Sequence, residues 1–255
     1  MEYKTAKRME CLPFSGIRAV MEKANKMQQA GEKIIHLEIG RPDFDTPEKI
    51  KKAANESLAA GHVFYTSNYG IPKLREAIAK WENENHGTDY EASEVLVTVG
   101  VGEATFASMD AFLDPGDEIL VPNPVWLNYI HVPSALGAVP VTYSLKEEND
   151  YLIDLDAIPE ELARRAKLMI VSYPNNPTCA LAPEWFYDKL IAFAKKYDII
   201  VIHDNAYSEL VYDGATCGSF LSHPGAMEVG VEFNSLSKTY GMAGARVGFC
   251  VGNPE

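Results

Sequence analysis

Residues 168–203 read LMIVSYPNNPTCALAPEWFYDKLIAFAKKYDIIVIH. An apolar run without polar alternation, Leu168–Ser172, is followed by a loop rich in Pro and Asn. Apolar residues then recur at helical spacing over Glu184–Tyr197, and a second β-type run follows at Ile199–His203. Uninterrupted apolar strands are buried on both faces, and strand–helix–strand order places them in a parallel sheet.

The same alternation extends both ways. Strands are expected at Val95–Val99, Glu118–Val121, Val139–Tyr143, Val231–Asn234 and Arg246–Val251. Helical patterns occupy Glu103–Phe112, Trp126–Leu136 and Leu155–Ala163 between them. Upstream, Thr46 is placed as an N-cap with Pro47 at the first helical position, Ile50, Ala53, Ala54 and Leu58 share a face, and Gly61 ends the helix. A further helix starts at Pro72 and is expected to bury Leu74, Ile78 and Trp81. The expected fold is therefore α/β, three layers (α/β/α) around a mostly parallel seven-stranded sheet. Residues 1–45 do not join this alternation. Met9–Ala30 looks helical and Ile34–Ile39 strand-like, so 1–45 is assigned to an N-terminal arm and part of another substructure, and 46–255 to the main domain.

A chain of 255 residues, 47% apolar, can bury a sizeable core. Its net charge of −13 disfavours nucleic acid and anionic membrane surfaces as partners. Cys11, Cys179, Cys217 and Cys250 form no close pair, which points to a reduced, cytoplasmic protein. The histidines are dispersed without metal-ligand spacing, so no metal site is expected.

In a sheet of this kind ligands bind at the carboxyl ends of the strands, so polar residues just after strands carry the functional reading. Four such places stand out. Thr98-Val99-Gly100-Val101-Gly102-Glu103 runs from a strand into a helix, where free N–H groups cradle a phosphate, although a tight turn gives the same pattern. Asp204, in His203-Asp204-Asn205-Ala206-Tyr207, leaves an apolar strand. A buried carboxylate there calls for a cation, while a turn or cap aspartate is an equal alternative. Pro174-Asn175-Asn176-Pro177-Thr178 is a turn former whose amides can also donate to a phenolate oxygen. In Ser235-Leu236-Ser237-Lys238, two hydroxyls stand beside a lysine, and Arg246 follows in Gly244-Ala245-Arg246-Val247-Gly248. That grouping suits a phosphate monoester beside a reactive amine, whereas most lysines are solvated surface charges.

Together these segments, with Gly40-Arg41-Pro42-Asp43-Phe44, Tyr65 to Gly70 to Leu74-Arg75, and Asn123-Pro124-Val125-Trp126, resemble the class I/II aminotransferases of the fold-type I pyridoxal-phosphate enzymes. The resemblance runs from about Leu12 to the last residue, in the family's order. It implies pyridoxal 5'-phosphate as cofactor, with Lys238 holding it as a Schiff base and Asp204 paired with the pyridine nitrogen. Asn176 and Tyr207 are then hydrogen-bond partners of its 3'-oxygen, and Trp126 stacks on its ring. Val101 and Gly102 hold the phosphate through backbone N–H groups, and Ser235, Ser237 and Arg246 through side chains. Tyr65 matches the tyrosine that reaches the phosphate of a neighbouring subunit, which implies a homodimer with shared sites. Gly40 lies beside the substrate carboxylate, and Trp126 and Asn176 border the substrate as well.

The implied reaction is transamination between an L-amino acid and a 2-oxo acid such as 2-oxoglutarate, of an aspartate aminotransferase-like type. A β-eliminating C–S lyase of the same fold and a non-catalytic cofactor-binding fragment are the alternatives. Arg41 stands where the family often has Glu, and Cys179 where it usually has Gly, which costs strain if that position needs positive φ. The family continues into a C-terminal small domain whose arginine binds the substrate α-carboxylate. The expectation is therefore a C-terminally incomplete main domain that transaminates poorly alone.

Overall fold

A computed structural model of the chain describes residues 3–40 and 42–254. The first element is a 3-10 turn, Lys7–Cys11, separated by Pro13 from helix α1, Gly16–Gln29. The continuous helix expected over Met9–Ala30 is thus broken. Proline removes a backbone donor and disfavours helical backbone at Leu12, and Ser15 restarts the helix by accepting from the Arg18 N–H at 3.5 Å. Ile34–Ile39 is not a strand. Ile35 and Leu37 are exposed, and no strand among the described residues pairs with this segment.

Helix α2 spans Glu48–Ala59 and α3 spans Pro72–His86. Thr46 does not cap α2: Pro47 occupies the cap position, and the Thr46 hydroxyl donates instead to the Gly241 carbonyl at 2.9 Å. Helix α3 starts with Pro72 as expected, but its buried stripe is Ile78, Ala79, Glu82 and His86, with Leu74 and Trp81 only half-buried.

All seven expected strands form: β1 Val95–Thr98, β2 Glu118–Asn123, β3 Val139–Ser144, β4 Ala166–Ser172, β5 Ile200–Asp204, β6 Gly230–Ser235 and β7 Gly248–Gly252. The remaining helices are α4 Val101–Phe112, α5 Asn128–Leu136, α6 Glu160–Ala163, α7 Glu184–Tyr197 and α8 Leu236–Thr239. The helix expected over Leu155–Ala163 is a 3-10 turn at Leu155–Ala157 followed by the single turn α6, because Pro159 interrupts it. Helix α5 begins two residues later than expected, which leaves Trp126 in the loop after β2.

The strands form one sheet in the order β1-β7-β6-β5-β4-β2-β3. Only β7 runs antiparallel to its neighbours; the others share one direction. Two apolar layers cover the faces. Val101, Ala104 and Met109 of α4 and Tyr129 of α5 pack with Ile170, Ile202 and Phe233 on one face. Ile78 of α3 and Phe186, Leu190 and Ile191 of α7 pack with Met169, Val171 and Val201 on the other. Strand side chains alternate in direction, so Asp204 shares the first face with Ile202, while His203 faces the second. Among the described residues no helix is long and apolar enough to cross a membrane.

Candidate active site

The parallel strands end on one edge of the sheet, and the polar residues singled out in the sequence lie at or just after those ends. The aligned pairs Ser172↔Asp204 and Asp204↔Phe233 bring β4, β5 and β6 to the same level. Asp204 is the last residue of β5 and is 5% exposed. Its Oδ2 accepts from the Tyr129 hydroxyl at 2.7 Å and its Oδ1 from the Ala206 N–H at 3.1 Å. Burial raises the Asp204 pKa above the usual carboxylate range, against the pull of these two hydrogen bonds. Tyr129 sits edge-on to Trp126, with centroids 5.4 Å apart and planes at 88°.

Lys238 belongs to the single-turn helix α8, which leaves β6 directly. Ser235 caps that turn by accepting from the Ser237 N–H at 3.1 Å. The half-buried Lys238 Nζ donates to the Gly40 carbonyl at 3.2 Å and lies 5.4 Å from the centre of the Tyr207 ring. Burial lowers its pKa, which favours the neutral, nucleophilic amine. Beside it, Asn176 Nδ2 donates to the Tyr207 hydroxyl at 3.4 Å. Asn175 builds that corner: its Oδ1 accepts from the Thr178 N–H at 3.2 Å and the Thr178 hydroxyl at 3.0 Å, folding the turn from which Asn176 projects. Cys179 closes the turn at φ +60, so this position does require the left-handed conformation and carries the strain that glycine would avoid.

A third group lies where β1 enters α4. Gly100 adopts φ +74, and a Cβ there would collide with the Arg246 guanidinium. Gly248, on β7, approaches so closely that its Cβ would meet the Gly100 carbonyl carbon and the Val101 nitrogen at 2.9 Å. These two glycines bring Arg246 against the N-terminus of α4, where Val101 and Gly102 occupy the first turn and no side chain caps the helix. Arg246 Nη1 donates to the Ala243 carbonyl at 3.0 Å, and Arg246 forms no ion pair among the described residues.

The structure thus gathers Lys238, Gly40, Tyr207 and Asn176 through direct contacts, and Asp204 with Tyr129 and Trp126. Val101, Gly102 and Arg246 meet at the α4 terminus, while Ser235 and Ser237 form the start of α8. Tyr65 is fully exposed and makes no contact with this cluster among the described residues. Arg41 lies outside the described residues. Tyr129 is the member that motif reading missed; its signal was an aromatic residue three positions after Trp126.

The residues fit a phosphate monoester attached to a flat, protonatable ring. At one end Arg246 has no carboxylate partner among the described residues, and the first turn of α4, where Glu103 accepts from the Val99 N–H, presents the N–H groups of Val101 and Gly102. At the other end, the buried Asp204 carboxylate receives hydrogen bonds from two neutral donors and forms no ion pair among the described residues. Pyridoxal 5'-phosphate, which the sequence resemblance implies, has both features.

Comparison with known proteins gives a consistent result. The family described as Aminotransferase class I and II matches residues 32–255. LL-diaminopimelate aminotransferase 2 of Trichormus variabilis is 41% identical over 251 residues, covering 97% of this chain and 64% of that protein. The apo structure of BacF from Bacillus subtilis superposes with a TM-score of 0.93 at 38% identity, covering 100% of this chain and 65% of that one. The aspartate aminotransferase of Thermus thermophilus with maleate gives a TM-score of 0.93 at 33% identity, with coverage of 99% and 65%. The chain therefore spans less than two-thirds of the length of these relatives.

Proposed function

Because the chain belongs to the class I and II aminotransferases, we propose that it forms the cofactor-binding part of a pyridoxal-phosphate enzyme that moves an amino group from an L-amino acid to a 2-oxo acid. The observation that carries this reading is the setting of Lys238: a half-buried amine with a lowered pKa, against the Gly40 carbonyl and the Tyr207 ring, at the same sheet edge as the buried Asp204.

Arg246 and the N–H groups of Val101 and Gly102 hold the phosphate, with Ser235 and Ser237 beside them. Trp126 offers an aromatic face to the ring. Asn176 and Tyr207 donate to the ring oxygen, and Asp204 keeps the pyridine nitrogen protonated. When bound, the cofactor supplies a cationic ring that takes up the electron pair left at the substrate α-carbon. Lys238 would hold the cofactor through its amine and, once that amine is free, would take the proton from the substrate α-carbon. Its neutral form, favoured by burial, is the form able to do both. Tyr65, fully exposed, is available to a second copy, which supports a homodimer with shared sites. All four cysteines are free thiols, which suits a cytoplasmic setting.

The relatives are named for LL-diaminopimelate and aspartate. The feature those two amino acids share is a second carboxylate, and 2-oxoglutarate has one too. We assign the substrates to that class. The test is glutamate formation from 2-oxoglutarate by the whole protein, with LL-diaminopimelate, aspartate or alanine as donor. Transfer from either diacid but not from alanine is expected; equal transfer from alanine, or none from any donor, overturns the assignment.

A further inference from the structure

Behind the site, on the opposite face of the sheet, a single carboxylate collects five hydrogen bonds. Glu232, on β6, is fully buried. Its Oε2 accepts from His203 Nδ1 at 2.8 Å, the Ser219 hydroxyl at 3.1 Å and the Phe220 N–H at 2.8 Å. Its Oε1 accepts from Asn205 Nδ2 and Asn234 Nδ2, each at 3.2 Å. Burial pushes the Glu232 pKa up, but the His203 hydrogen bond and charge, with the other donors, outweigh it and hold the group below the usual range.

The sources of these bonds matter more than their number. His203 and Asn205 are the two residues that flank Asp204, and Asn234 directly precedes the Ser235–Lys238 segment. The paired register, His203↔Glu232 and Asp204↔Phe233, sets this clamp one residue from the site, on the reverse side of the same two strands. Asn205 is fully committed: its Nδ2 also reaches the Gly218 carbonyl at 3.2 Å, and Cys217 Sγ lies 3.4 Å from its Oδ1. His203 is held from the far side by the Tyr187 hydroxyl at 3.4 Å.

We propose that Glu232 is a positioning residue: from the back of the sheet it fixes the ends of β5 and β6 and so sets the aim of Asp204 and Lys238. The proposal rests on the cofactor reading above. Glu232 touches neither cofactor nor substrate and acts only through its strand neighbours. A shift of the β5 end by a fraction of an ångström moves the Asp204 carboxylate away from the Tyr129 hydroxyl and from the ring nitrogen it is to meet.

The test loads the full chain with pyridoxal phosphate and reads two quantities, the Kd from absorbance titration and the visible circular dichroism of the bound cofactor, which reports a fixed ring orientation. Glu232→Gln keeps the shape but turns an NH2 group toward donors. It is expected to weaken binding roughly tenfold and to remove most of the visible dichroism. Asn205→Ser, which releases one flank of Asp204, is expected to move both in the same direction by less. Ser219→Ala removes a bond from a loop that flanks neither site residue, and should lower the melting temperature while leaving both readouts at wild-type values. Wild-type readouts in Glu232→Gln or Asn205→Ser overturn the proposal, as does Ser219→Ala matching Asn205→Ser. If Glu232→Gln does not fold, the contrast between the other two variants decides. Failure of the wild-type chain to bind the cofactor overturns the functional reading itself.

Discussion

Asp204 combines a charge, nearly complete burial and one side-chain hydrogen-bond donor, the Tyr129 hydroxyl at 2.7 Å. Removing that donor leaves the carboxylate still further from its ordinary pKa, because burial already raises it and Tyr129 opposes the rise. Tyr129→Phe is therefore expected to favour protonated Asp204 and to weaken pyridoxal phosphate binding by about tenfold, as a hydrogen bond to a charged group contributes roughly 1.5–3 kcal/mol. Equilibrium dialysis measures this, and unchanged affinity would show that Tyr129 does not hold Asp204 in its working state. At this scale the motif residues were readable in the chain because their chemistry is rare at strand ends: Lys238 between hydroxyls, Asp204 after an apolar run, Asn176 in a proline turn. Tyr129 was not, since its role depends on which way the first turn of α5 faces across the sheet. Cys179 was legible only conditionally, until its φ of +60 settled the condition.

Among the elements, α3 carries a feature that no surface pattern announced. Glu82 and His86, one helical turn apart, are both buried, and Glu82 Oε2 meets His86 Nδ1 at 2.8 Å, with Glu209 at 3.2 Å from the other ring nitrogen. Burial alone lowers the His86 pKa, but the hydrogen bond and charge of Glu82, the hydrogen bond of Glu209 and the charge of Glu232 outweigh it and raise it to about 9. A histidine whose folded pKa exceeds its unfolded one contributes stability that is fully present below about 6.5 and is lost as pH rises through about 9. Urea midpoints measured across that window should fall by the equivalent of roughly 1–3 kcal/mol, and the decline should vanish in His86→Gln. A pH-independent midpoint in the native chain would contradict the pairing. The strands were legible because those buried in a parallel sheet read as unbroken apolar runs. Helical patterns were less secure: Pro13 and Pro159 each split a pattern that hydrophobic spacing alone made continuous, and Ile34–Ile39 has strand composition without a partner strand.

For the molecule as a whole, alternation predicted a mostly parallel seven-stranded sheet but not its order. Nothing local says that β1 lies at the edge beside β7, or that β7 alone is reversed. That reversal is what returns the chain from Lys238 to place Arg246 against Gly100, joining two ends of the site that are far apart in sequence. The sheet thus converts a set of separate strand-end residues into one surface with a lysine, a buried carboxylate and an arginine set against a helix N-terminus. The claim on which the rest depends is that Lys238 is the residue that takes the cofactor. Borohydride reduction of the chain with pyridoxal phosphate, followed by peptide mass mapping, tests it directly: a single pyridoxyl label on the peptide containing Lys238 is predicted, and a label confined to other lysines, or no label at all, would contradict the account.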